Sequence, residues 1–242
     1  MTDPSTAAPA APPSLASRFV GILFSPTETY RAVIAHPTWF GMVAVAAVVA
    51  AIGLYWFLST EVGQQAAVDQ AVSTMESFGR TVNDEAYAAI ERQTRMARYI
   101  NPVFALVMAP LMTAIVAGIL LGVFNAALGG VATYRQVLAV VAHGAPVSVL
   151  QQLFSLPINY FRASASSPTN LSVFFPMLPE GGFLASFLGT IDLFLVWWVV
   201  VIAIGLAVLY RRRARSVATG LLAAYAVIGL AIAGVKLALG GQ

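Results

Sequence analysis

Five long apolar runs constrain what this chain can fold into more than any other feature. They are Trp39 to Leu58, Pro102 to Leu128, Leu138 to Leu156, Phe183 to Leu209 and Val217 to Leu239. Each lies near or above the ~20 residues that a helix needs to cross a bilayer. Composition agrees: 59% of the 242 residues are hydrophobic and only 10% are charged, whereas soluble domains carry about 25% charged residues. The expectation is an all-α integral membrane bundle of five transmembrane helices.

Orientation follows from where arginine falls between the runs, because cytoplasmic loops are enriched in Lys and Arg. Arg18 and Arg31 precede run one, Arg135 separates runs two and three, and Arg211, Arg212, Arg213 and Arg215 separate runs four and five. These segments alternate onto one side. The loop 59–101 on the other side holds six acids against four arginines. The N-terminus is therefore predicted in the cytoplasm and the C-terminus outside. The net charge of +3 reads as a topology signal, with no nucleic-acid partner expected. Run one starts at residue 39 and is too long for a signal-peptide core, so the N-terminus is expected to be retained. With no cysteine, disulfides, thiolate metal sites and cysteine nucleophiles are excluded. Arginine is preferred to lysine and alanine is abundant, a bias that points to a bacterial inner membrane.

Residues 1–17 read as a disordered Pro/Ala-rich tail, and residues 18–242 as the membrane domain. Within "FSPTETYRAVIAHPTWFG" at 24–41, Ser25, Pro26 and Glu28 predict a helix start with a capping box. Tyr30, Val33 and Ile34 share a face. This is the pattern of a helix lying in the interface ahead of run one, with Trp39 as a headgroup anchor. The loop 59–101 predicts two short solvated helices, over 64–78 and 84–100. In run two, Ala114, Gly118, Gly122, Ala126 and Gly130 recur at four-residue spacing, which predicts a close helix contact on that face.

Chemistry is sparse. The histidines, His36 and His143, lie in no metal-binding spacing, and neither a nucleophile motif nor a phosphate-binding glycine loop is present. No enzyme activity, metal or cofactor is expected. Polar residues inside the runs include Asn125, His143, Gln151, Gln152 and Asp192, and such residues usually face a bundle interior. Asn125 and His143 lie at depths that would let them meet near Arg135, as a small polar cavity or as packing glue. Asp192 and Lys236 fall ~27 and ~30 Å up their helices, so they either pair or snorkel separately to water. Arg211, Arg212, Arg213 and Arg215 would attract anionic headgroups at about 1 kcal/mol per residue, or simply fix topology.

Three stretches together resemble the bacterial branch of the Yip-domain family: "FSPTETYRAVIAHPTWFG", "FNAALGGVATYRQVLAVVAHGAP" and "DLFLVWWVVVIAIGLAV". The likeness spans about residues 18–239. It implies a five-helix membrane bundle with no known catalytic activity. Eukaryotic members are linked to Rab GTPases through a larger cytosolic region and an Asp-Leu-Tyr-Gly-Pro motif near span one. Here that place reads "AHPTWFGM" and the cytosolic arm is short, so a GTPase partner is not implied. The expected function is non-enzymatic: organising membrane, or binding other membrane proteins or further copies of itself. The alternative is a small transporter or channel for an ion, solute or lipid.

Overall fold

The computed structural model describes residues 13–179 and 182–240. Most of the predicted tail lies outside these residues. Its last part does not: α1 (Leu15–Phe24) starts inside it, because the Ser14 side chain accepts from the Ser17 N–H at 3.2 Å. α2 (Pro26–Ala35) follows at once. Ser25 ends one helix and begins the other, its N–H donating to Gly21 O at 2.8 Å. With the residue held in that joint, its side chain makes no capping bond. The predicted capping box with Glu28 is therefore not formed; Pro26 at the first helical position and Glu28 in the first turn mark the start instead.

α3 (Phe40–Leu58) is uniformly apolar and leads through a tight turn into α4 (Glu61–Ser77), capped by Thr60. A Cβ on Gly63 would fall 1.9 Å from Phe57 O, so that turn requires glycine. α5 (Asp84–Leu121) is capped by Asn83 and carries Asp84 and Glu85 in its first turn, where the helix dipole favours acids. It does not stop at residue 100 as predicted. It runs through Pro102 and Pro110 for 38 residues and continues as a π-helical turn, Gly122–Ala127. A length of ~57 Å exceeds any bilayer core, so its first half stands clear and packs on α4 through Ile90 and Thr94, both buried.

α6 (Tyr134–Ala142) and α7 (Ala145–Phe161) form one bent element, and α6 starts on a complete Thr133–Gln136 capping box. α8 (Phe183–Thr190), α9 (Leu193–Leu209) and α10 (Ala214–Gly240) complete the fold. Among the described residues, four helical elements are long and apolar enough to cross a membrane: Phe40–Leu58, Asp84–Ala127, Tyr134–Phe161 and Ala214–Leu239. The fourth predicted span, Phe183 to Leu209, is not one helix. It breaks between Thr190 and Leu193, where Asp192 caps α9, leaving a 17-residue helix of ~26 Å.

The main core gathers α2, α5, α6 and α9 at one end of the bundle, with Tyr30, Ala117, Val137, Val140, Ile202 and Leu206 buried. Here the structure corrects a further expectation. The apolar face of α2 meets protein rather than lipid: Tyr30 is fully buried and its hydroxyl donates to Val140 O at 3.2 Å. Gly205 makes the space, since a Cβ there would lie 2.6 Å from Val140 Cγ1 and 2.8 Å from the Tyr30 ring. Trp39 packs partly against this same core.

Candidate functional site

The break before α9 is the most densely bonded polar centre among the described residues. Residues on either side of it are extended and pair with 169–171: Leu171 N–H donates to Ile191 O at 2.8 Å and Leu193 N–H to Thr169 O at 3.1 Å. The Asp192 N–H donates to the Tyr225 hydroxyl at 3.2 Å, and that hydroxyl donates to Thr190 O. The carboxylate accepts from Phe194 N–H at 2.8 Å, Leu195 N–H at 3.2 Å, the Thr169 hydroxyl at 2.7 Å and the Gln151 amide at 3.3 Å, and also from the Ser167 hydroxyl. Non-helical backbone at membrane depth is tolerated only when its polar groups are satisfied by protein. This one is.

Gln151 also faces an open-sided cavity of about 300 Å³ lined by α3, α5, α6, α7 and α9. Its wall on α3 is Ala46, Ala47 and Ala50, whose small side chains leave the space unfilled, while Thr113 and Ser148 add hydroxyls. A second space of about 340 Å³ lies between α3 and α7, beside Trp56 and Leu156, and shares Gln152 with the first. The surroundings are apolar. They suit a hydrocarbon chain or a bulky side chain better than an ion.

At the opposite end the predicted polar cluster is not assembled. Asn125 donates to Ala132 O at 2.8 Å and accepts from the Tyr210 hydroxyl at 2.8 Å, pinning the 128–133 loop. Arg135 donates to Pro37 O at 3.1 Å. His143 is fully buried; its Nδ1–H donates to Ala139 O at 2.8 Å, so the Nε2 lone pair faces Arg18 Nη1 at 3.4 Å. Each predicted member has a different partner, because the bend between α6 and α7 turns His143 toward α1. Burial raises the Tyr210 phenol above its usual range.

Two further expectations are corrected. Asp192 does not pair with Lys236: the carboxylate is filled by neutral donors, and the lysine ammonium lies 5.8 Å from the Phe78 ring centroid. The only ion pair among the described residues is Arg95–Glu91 at 3.3 Å. The ladder on α5 does not contact another helix along its length, since a Cβ on Gly118 or Gly122 would meet nothing within 4 Å. The buried positions are Ala117 and Phe124, and each residue of offset turns a helix face by ~100°. Only Gly130 is crowded, by the Tyr210 ring stacked on Phe124 at 4.9 Å. Ala114 is half-buried against the core, and Ala126 is exposed.

Sequence reasoning missed Arg18, Tyr210, Tyr225, Ser167 and Thr169 as partners. A signal for the break was present: an Asp directly before a strongly apolar run is a helix-start pattern. The Ser/Thr-rich stretch 164–170 gave no sign of what it would bond. Among the described residues no group of three His, Asp or Glu side chains is placed to hold a metal ion.

The Yip1 domain family model matches residues 20–235. The chain belongs to the Yip1 domain family. Members are membrane proteins not known as enzymes. No curated protein and no solved structure gives a match.

Proposed function

We propose that this Yip1-domain protein is a non-catalytic, multi-pass organiser of a bacterial inner membrane, acting on the bilayer and on proteins beside it. The observation that carries this reading is an apolar segment that does not span. Between α7 and α9 the chain exposes Val173, Phe174, Phe175, Met177, Phe183 and Leu184, and the Asp192 bonds hold both ends of that segment against the bundle. Apolar side chains placed this way insert into one leaflet and add area to it alone, which favours curvature or local sorting of lipid. α5 and α10 also support lateral association, since only 11% of the most apolar window of each is buried, against 61% for the α6–α7 element.

The arginine bias supports an N-terminus in the cytoplasm and a C-terminus outside. Arg211 and Arg212 line one groove with Arg31, so they favour anionic headgroups there. The test is reconstitution into liposomes. The protein is expected to change vesicle size and shape without passing ions, and Phe174→Ser with Phe175→Ser to abolish the effect while leaving insertion intact. Protein-dependent ion flux would overturn the reading in favour of a transporter or channel.

A further inference from the structure

A second site follows from a cation that has no counter-charge among the described residues. The Arg18 side chain enters the bundle end between α1, α2 and the start of α3. Its Nη1 donates to the Thr38 hydroxyl and touches His143 Nε2 at 3.4 Å. Its Nε is buried and has no hydrogen-bond partner. No carboxylate among the described residues lies within 4.0 Å of it. A guanidinium is charged at any ordinary pH, and a partly buried charge left unpaired is costly.

The same guanidinium lines a cavity of about 160 Å³ with Thr38, His36, Ala32, Val33 and Pro13. Every polar side chain lining it can donate: the guanidinium, a hydroxyl and an imidazole. α3 starts two residues after Thr38 and has no side-chain cap, so its first-turn N–H groups add positive partial charge at this end. Arg135 brings a further positive charge beside the residue before Thr38, donating to Pro37 O. The position is also apt for a membrane ligand, because Thr38 immediately precedes Trp39 and Phe40, the aromatic start of a span.

We propose that this cavity holds a phosphate-type anion, clamped by the Arg18 guanidinium with Thr38 and His36 beside it. The anion is the phosphate of a lipid headgroup or free phosphate, and both present the oxygens that guanidinium recognises. The site is distinct from the exposed arginines at 211–215, and it does not depend on the membrane-organising role proposed above.

The test uses the full chain and two probes. Inorganic phosphate is titrated in lipid-free detergent and followed by thermal shift. Phosphatidylglycerol is offered in phosphatidylcholine nanodiscs and followed by native mass spectrometry. Saturable binding of at least one probe is expected. Enrichment of phosphatidylglycerol that phosphate fails to displace assigns the headgroup, and phosphate binding without lipid enrichment assigns the free anion. Arg18→Gln should weaken binding by at least about tenfold, since it removes charge-assisted hydrogen bonds. Ala32→Leu, which fills the cavity and leaves the arginine in place, should do the same and serves if Arg18→Gln fails to fold. Arg211→Gln with Arg212→Gln should leave binding unchanged. Binding of neither probe, binding that survives Ala32→Leu, or binding lost only with the surface arginines would overturn the proposal.

Discussion

Replacing Asp192 by alanine removes the acceptor of five hydrogen bonds at once: two from the first turn of α9 and three from Gln151, Ser167 and Thr169. Side-chain hydrogen bonds in membrane proteins average about 0.6 kcal/mol, so five amount to ~3 kcal/mol. The capping share alone is worth about 1 kcal/mol, which is consistent with two bonds of the five. A loss of ~3 kcal/mol is roughly a hundredfold in the unfolding constant. Asp192→Asn is the informative partner variant. Its amide oxygen still accepts from Phe194 and Leu195 N–H, and its NH₂ donates to hydroxyls that can rotate to accept, so its cost should be about 1 kcal/mol. Thermal or SDS-induced unfolding of the two variants in the same detergent measures the difference. If Asp192→Ala unfolds like wild type, or if Asn and Ala are equally damaging, the carboxylate does not hold the break as its bonds indicate.

Gly205→Leu should destabilise the bundle by at least about 1–3 kcal/mol through overpacking against Tyr30 and Val140, whereas Gly118→Leu should change stability by less than about 0.5 kcal/mol; thermal unfolding of the pair in detergent decides between an occupied and an open face. Burial raises the Tyr30 phenol above its ordinary value of 10.0, so the unfolded chain ionises first and stability, intact below about pH 10, falls as pH rises past it. Tyr30→Phe should flatten that alkaline loss in a pH series of unfolding curves. Asp192→Asn and Lys236→Gln should be additive within about 0.5 kcal/mol in a double-mutant cycle, since the two side chains have different partners; a larger coupling would restore the ion pair.

What could be read from sequence is what hydropathy and local capping control. The apolar runs locate helices α3, α5, α7, α9 and α10, and the Asn83 cap of α5 is a local pattern of the same kind, an Asn directly ahead of two acids. Pro26 fixed the start of α2 for the same local reason. The small-residue ladder was visible too, but spacing states only that a face is smooth. Whether a partner fills it depends on where Ala117 and Phe124 find the bulk of α6, and that is a property of the assembled bundle.

The errors share one physical origin. Depth along a helix tells which polar residues meet only where each span is straight and unbroken. Asp192 stands at a break, and an acid at a helix start finds two N–H donors in its own next turn before any lysine across the bundle. His143 stands at the bend between α6 and α7, which moves its ring away from Asn125 and toward α1. Arg18, treated as a topology charge, is then the cation that reaches it. Polar residues at irregular backbone are those whose partners periodicity cannot assign, because the irregularity itself is created by the hydrogen bonds they make. In an apolar chain with few polar side chains, such residues therefore mark where the helices depart from ideal geometry before they mark any chemistry.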